Sequence, residues 1–249
     1  MRSSFEPVPL PPGGPPVFPD PRLSDDEGLV AFGGGLEPQR ILTAYRHGIF
    51  PWYDEDLPPL WWSPDPRCVI RRDRLHVSRS LGRTLRRGGF ELTWNRCFLD
   101  VVDACGQSRR DGTWILPEMR AAYGALHELG AAHSLEVWWS GELVGGLYGV
   151  QIGGLFAAES KFHRRTDMSK VALVAAVHSL FAAGIQLFDV QFRTEHLATM
   201  GAEEIRRDAY LRELEPAVRL EVDLAELVPV GPALTRSREA AAERAHRSL

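Results

Sequence analysis

Apolar positions follow two different rhythms along this chain, helical in the first half and largely strand-like from Gly130 onward. Leu29-Val30-Ala31-Phe32 reads as a short strand running into the turn Gly33-Gly34-Gly35. Pro38 then opens a helix through Ile41, Leu42 and Tyr45 that Gly48 ends, since proline suits a first helical turn and glycine the residue beyond the last. Residues 69–72 form a predicted strand, and Ser78 offers a cap to a helix Arg79–Arg87 that stops at Gly88-Gly89. Phe98, Val101, Val102 and Cys105 keep helical spacing, and residues 117–129 make a further helix closed by Gly130. Residues 134–139, 143–152 and 155–158 are then three strands of an antiparallel meander, with turns at Ser140-Gly141 and Gly153-Gly154. A strongly apolar helix over 171–183, a buried strand over 186–192 and a charged helix after Arg207 complete the pattern.

Strands, a helix and then a strand is the plan of a GNAT-like acyltransferase domain, so the predicted class is α+β with an antiparallel or mixed sheet. The expected division is a disordered Pro/Gly-rich arm over 1–17, a small aromatic-rich α/β domain over 18–66, a basic segment with the catalytic domain over 67–232, and a polar tail over 233–249. The arm has too few patterned apolar positions to fold alone and is expected to stay outside the core. At 249 residues and 44% hydrophobic the chain can bury a sizeable core. It has no run of about twenty apolar residues to span a bilayer and no apolar leader, which points to the cytoplasm and away from membranes. Cys68, Cys97 and Cys105 show no metal-ligand spacing and fit a reducing compartment. The triple glycine lacks the lysine and hydroxyl residue of a P-loop and serves a turn.

Charge and aromatics change the picture. The net charge is −4, yet residues 67–96 hold nine arginines against only Asp73 and Glu91, an excess that suits a polyanionic partner. Directly upstream lie Gly48-Ile49-Phe50-Pro51-Trp52-Tyr53 and Leu60-Trp61-Trp62-Ser63-Pro64-Asp65-Pro66-Arg67, with three of the seven tryptophans. Indoles stack on bases, prolines stiffen the backbone that presents them, and arginines neutralise phosphate, so the block suggests single-stranded or end-exposed RNA.

The words LVAFGGGLEP, YRHGIFPW, LWWSPDPR, GTWI, AHSLEVW, GELVGGLYGV, LFAAES, SKVALV, DVQ and HLATMGAEEIRR occur here in order. On these the chain resembles the leucyl/phenylalanyl-tRNA–protein transferase family, over roughly residues 18–215. The resemblance implies transfer of leucine or phenylalanine, and less readily methionine, from aminoacyl-tRNA to the N-terminal arginine or lysine of acceptor proteins, marking them for N-end-rule degradation. It also implies no CoA, metal or nucleotide cofactor, and a monomer is expected. In keeping with that, the segment Arg164-Arg165-Thr166-Asp167-Met168-Ser169 has no glycine to build a pyrophosphate cradle.

By the same resemblance Asp189 and Gln191 are catalytic, with Gln191 accepting from the attacking amine and Asp189 holding it and offsetting the charge that develops. Two apart on a predicted strand, their side chains are expected on one face. Glu159 is the candidate for the cationic acceptor residue. Leu147, Phe156, Leu173, Leu180 and Phe188 are the implied donor side-chain pocket, Trp52 and Trp114 the stack for the 3′-terminal adenosine, and Arg71, Arg79, Arg83, Arg86 and Arg87 the phosphate contacts. Family members commonly read Ser-Met-Phe-Ser-Arg where this chain has Ser160-Lys161-Phe162-His163-Arg164, and Asp-Cys-Gln where it has Asp189-Val190-Gln191. Lys161 and Lys170 are its only lysines. Two alternatives are another tRNA-dependent peptide-bond former, such as a Fem-like transferase acting on a cell-wall precursor, and a non-catalytic tRNA-binding protein.

Overall fold

Four short strands come first in the computed structural model of the chain, which describes residues 6–107, 113–225, 227 and 229. They are β1 (Val8–Leu10), β2 (Leu29–Gly33), β3 (Phe50–Pro51) and β4 (Leu60–Trp62), paired in the order β1-β2-β4-β3, with helix α1 (Pro38–Arg46) between the second and third. There follow β5 (Arg67–Ile70), α2 (Arg79–Arg87), β6 (Glu91–Trp94), α3 (Phe98–Gln107), α4 (Pro117–Glu128), β7 (Ala132–Trp139), β8 (Glu142–Ile152), β9 (Leu155–His163), α5 (Met168–Ala182), β10 (Leu187–Gln191), α6 (Glu195–Thr199), β11 (Ala202–Ile205) and α7 (Arg207–Ala217). Their strands form a seven-stranded sheet in the order β11-β5-β10-β9-β8-β7-β6. All its neighbours are antiparallel except β9 and β10, which run parallel across the α5 crossover. The expected α+β class and the plan of three strands, a helix and a strand are both present.

Helices cover both faces of this sheet, which is why β8 reads as a nearly continuous apolar run instead of an alternating one. On one face α5 is buried through Val171–Val177 and has no polar side, as a helix pressed between a sheet and other elements must. It packs with Phe156, Phe188 and Leu81 of α2. On the other face α3 and α4 pack with Tyr148 and Val150, and the same core runs on through Tyr45 and Trp61 of the N-terminal segment. One core thus spans the expected boundary at residue 66, and the small sheet is fixed against the large one.

The site follows from a defect in pairing. Parallel pairing of β9 with β10 runs only from Leu155↔Leu187 to Ala157↔Asp189, although β9 continues to His163. Beyond that point the two strands part. Each carries a bulge there: Glu159 is the unmatched residue of β9 opposite β8, and the register of β10 against β5 slips between Asp189 and Gln191. Bulges bend a strand and redirect side chains, and Gln191 accordingly sits at φ 61.

Several expectations need correcting. Residues 8–10 of the supposed arm form β1, parallel to β2, and Leu10 belongs to the core. The buried Arg40 guanidinium also donates to the carbonyls of Gly14 and Pro15. A segment too poor to fold alone needs only a waiting ladder to join a sheet, and Pro9 is tolerated at its edge. The strand expected over 69–72 is Arg67–Ile70, so Arg67 is inside the sheet and Arg71 beyond it. β9 runs five residues past its expected end because its second half is polar and lines a cavity. β6, α6 and β11 are too short to show a period. Residues 1–5 and the tail over 233–249 lie outside the described residues. Among the described residues no helix is long and apolar enough to cross a membrane.

Candidate active site

Asp189 is fully buried against Arg67, which is nearly as deep. Arg67 donates through Nε at 3.0 Å to Oδ1 and through Nη2 at 2.6 Å to Oδ2, and its Nη1 donates to the Gly48 carbonyl at 2.9 Å. The rings of Phe50 and Tyr210 lie on the guanidinium, each centroid 4.6 Å away. Burial opposes the charge on Arg67, but Asp189 outweighs it and holds the guanidinium protonated. Asp189 accepts two more hydrogen bonds, from the Tyr210 hydroxyl at 2.8 Å and from the backbone N–H of Gln191 at 2.8 Å. An ion pair taken out of water needs this degree of satisfaction to persist.

The expectation that Asp189 and Gln191 share a face is therefore wrong. The bulge between them breaks the alternation on which it rested, and Asp189 turns inward while Gln191 turns into a cavity. By accepting from the Gln191 N–H, Asp189 pins a non-glycine residue in the left-handed region, a conformation that survives only where surrounding contacts over-determine it.

Across the opening, Gln191 Nε2 donates to Glu159 Oε1 at 2.7 Å, which leaves Gln191 Oε1 as the remaining acceptor of a side chain that lines the cavity. Tyr123 donates to Glu159 Oε2 at 2.9 Å and lies 3.1 Å from the Tyr45 hydroxyl. Burial raises both tyrosines well above their ordinary value, so they remain donors at any physiological pH. Burial also lifts the Glu159 carboxyl to about 7, with Tyr45 and Tyr123 pulling it back down. Glu159 is thus a buried carboxyl whose pKa is lifted toward neutrality, and it lines the cleft, as the sequence reading expects.

Glu159 binds more protons in the folded chain than unfolded between its ordinary value and about 7, so its contribution to stability falls as pH rises through that window. Thermal melting from about pH 5 to about pH 8 tests this. The wild type is expected to lose stability relative to Glu159→Gln as pH rises, and parallel curves would refute it.

A cavity of about 390 Å³ opens between the parted strands, lined by Phe50, Pro51 and Trp52 from the N-terminal segment and by Trp114, Glu159, Lys161, Gln191 and Phe192, among others. Trp52 is 41% exposed at its mouth, in edge contact with Trp62 and tilted against Phe192, whereas Trp114 is buried in the wall. Of the five residues expected to form an apolar pocket, Leu147 and Leu173 line the cavity. Phe156, Leu180 and Phe188 sit behind it in the core, with the two phenylalanine centroids 5.5 Å apart. They shape the wall without being part of its surface. Phe192 and Thr194 follow Gln191 into the lining, and no periodicity marks them.

Arg79, Arg83, Arg86 and Arg87 stand exposed on α2. Arg71 does not belong with them: it donates to Glu203 at 2.8 Å and to both oxygens of Glu213 at 2.6 and 2.8 Å, so its guanidinium is committed to an internal clamp. Nor does Arg67 belong to a solvated cluster, since it is the buried partner of Asp189. Among the described residues no group of three or more His, Cys, Asp or Glu side chains is arranged to hold a metal ion.

A family model described as leucyl/phenylalanyl-tRNA protein transferase matches residues 69–215, and another described as its N-terminal domain matches residues 34–65. The leucyl/phenylalanyl-tRNA–protein transferase of Anaeromyxobacter sp. (strain Fw109-5) is 56% identical over 204 residues, 81% of this chain and 87% of that one. That of Chromobacterium violaceum is 52% identical over 211 residues, 83% of this chain and 91% of its own. Solved structures similar to the chain are distant. A GCN5-related N-acetyltransferase from Kribbella flavida is 13% identical with a TM-score of 0.36, over 65% of this chain and 58% of that one. The L-PGS structure from Bacillus licheniformis is 14% identical with a TM-score of 0.35, over 68% and 56%.

Proposed function

This chain belongs to the leucyl/phenylalanyl-tRNA–protein transferase family, and from that membership we propose that it moves leucine or phenylalanine, with methionine a poorer donor, from aminoacyl-tRNA to the N-terminal arginine or lysine of acceptor proteins. It acts as a monomer in the cytoplasm and marks those proteins for N-end-rule degradation. The observation that carries this reading is one cavity in which two indoles, a buried polar pair and apolar side chains meet.

Trp52 and Trp114 hold the 3′-terminal adenosine, and the donor side chain rests on Leu147 and Leu173, with Phe156, Leu180 and Phe188 setting the depth behind them. Such a wall discriminates by fit and by refusal to bury a polar group, which disfavours charged donors. The acceptor's free amine attacks the ester carbonyl; the C–N bond forms, the bond to the ribose oxygen breaks, and that oxygen ends with the proton. An ester is already activated and an α-amine with a pKa of about 7.7–8.0 is partly neutral in the cell, so no covalent intermediate is needed. Gln191 Oε1 accepts from the amine and aims its lone pair, while Asp189 fixes Gln191 from behind. Glu159, held by Tyr123, orients the carboxamide and in its ionised form, which a neighbouring cation favours, presents negative charge to the acceptor's side chain. Arg79, Arg83, Arg86 and Arg87 take acceptor-stem phosphates.

Mixing the protein with labelled leucyl-tRNA and a peptide beginning with arginine tests the proposal. Label in the peptide, absent when its amine is acetylated, is the expected result, whereas tRNA binding without transfer would leave a non-catalytic binder. Stacking is worth about 1–3 kcal/mol per base, so Trp52→Ala is expected to weaken a short leucyl-adenosine analogue by about five- to 150-fold. A loss confined to full-length tRNA would remove Trp52 from the adenosine site.

A further inference from the structure

A second cavity of about 620 Å³ shares Lys161 with the catalytic one and is lined also by Phe162, His163, Thr166, Asp167, Ser169, Lys170 and His196. Both lysines of the chain lie on its wall, whereas the rest of its cationic side chains other than histidine are arginines. Asp167 is the one acid among the lining residues, and it pairs with Lys170 at 3.0 Å. His163 lies 3.3 Å from the Ser169 hydroxyl. Burial lowers the His196 pKa, and Lys161, Lys170 and His163 lower it further while Asp167 raises it, so these groups are close enough to feel one another. A wall that gathers these side chains offers a complementary surface to an anion.

The cavity also continues a basic track. Helix α2 ends at Gly88-Gly89, where a Cβ on Gly89 would stand 2.9 Å from the Trp139 ring. The Arg165 guanidinium lies over that same ring, 3.8 Å from its centroid, two residues before the cavity's Asp167. Arginines on α2, Arg165 and the Lys161–Lys170 wall thus follow one another toward the catalytic cavity.

We propose that this second cavity is a phosphate subsite for the single-stranded 3′ end of the donor RNA, an inference that rests on the aminoacyl-tRNA reading above. Its cations hold the linkages just before the terminal adenosine, so that the strand leaves the arginine face of α2 and arrives at Trp52 and Trp114 already aligned. Lysine suits this task, because a point charge on a flexible stem follows a mobile single strand without demanding a fixed fork geometry. An acceptor protein is the poorer occupant. Its N-terminal residue is cationic and goes to Glu159, and a wall of like charge repels it.

The test uses a non-transferable leucyl-tRNA, its ester replaced by an amide, and the same RNA with neutral methylphosphonates at its last two linkages. On the wild-type protein the neutral linkages are expected to weaken binding roughly tenfold and to flatten the salt slope by about 0.7 for each phosphate that the protein no longer neutralises, as for single strands. Lys161→Gln with Lys170→Gln is expected to do the same to the native RNA and to show no further weakening with the neutral one. Equal binding of the two RNAs by the wild type, or an equal weakening of both by the double variant, would overturn the subsite. So would an unchanged donor affinity with a raised KM for acceptor peptides bearing acidic residues, which would make the wall an acceptor site. Failure of label transfer by the wild type refutes the function instead, and the binding comparison stands apart from it.

Discussion

Replacing Gln191 by alanine is expected to lower the rate of leucine transfer by about 10²-fold or more, the penalty of losing alignment between reacting groups, with donor affinity retained. The reason lies in how the residue is held. Its amide nitrogen is fixed by Glu159 at 2.7 Å, and its backbone is fixed by Asp189 at 2.8 Å, so the remaining oxygen belongs to a side chain with little freedom at the cavity wall. A preorganised acceptor does not have to be ordered when the amine arrives. Truncation removes it without emptying the core, because Gln191 contributes to the cavity wall and not to packing. Single-turnover transfer from saturating leucyl-tRNA, beside a donor titration and a melting curve, separates these effects. A drop in donor affinity with an unchanged rate constant would make Gln191 a binding residue and remove it from the chemistry.

Asp189→Ala is expected to destabilise the fold by about 3–5 kcal/mol, because it leaves the Arg67 charge buried without its partner. Urea unfolding reads the loss directly. The variant also loses transfer, but loss of a fold and loss of alignment look alike in that assay. Replacing both members of the pair by apolar residues of similar volume, Arg67→Met with Asp189→Leu, separates them. Such replacements commonly restore stability, yet they cannot accept the Gln191 N–H. Stability regained with kcat still depressed and KM for the donor little changed is the expected outcome. Recovery of full activity in the double variant would show that Asp189 serves folding alone.

Much of the frame is legible in the sequence, since it rests on long, strongly patterned elements. The run from Val144 to Ile152 is apolar apart from Gln151 because both faces of β8 are covered, and the helix α5 announces its burial by having no polar side. The tight turns at Gly141 and Gly153 carry the positive φ values that glycine allows. The residues that come together in the cavity are named by resemblance to a family, and periodicity alone does not choose Glu159 or Gln191 from other polar strand residues.

What the sequence hides has a common cause: it depends on partners far away in the chain. Arg67 reads as one arginine of a cluster, and only the fold brings it to Asp189, 122 residues later. Arg71 groups with the phosphate contacts for the same reason, because Glu203 and Glu213 have no local signature. The alternation rule for strands puts Asp189 and Gln191 on one face, and one slipped register undoes it. Tyr45 reads as an apolar position of a helix, and Tyr123 and Tyr210 fall within predicted helices with nothing to single them out, whereas their hydroxyls complete the buried network. Strand β1 goes unseen because joining the edge of an existing sheet needs no pattern of its own.

The central claim is that one cavity between parted strands takes the acyl end of a charged tRNA and presents its carbonyl to an amine aimed by Gln191. A crystal structure with a stable leucyl-adenosine analogue tests it most directly. The account predicts adenine against Trp52 and Trp114, the leucyl side chain on Leu147 and Leu173, and the carbonyl carbon within reach of an amine held by Gln191 Oε1. An analogue seated elsewhere, or bound with its acyl group turned away from Gln191, would contradict it.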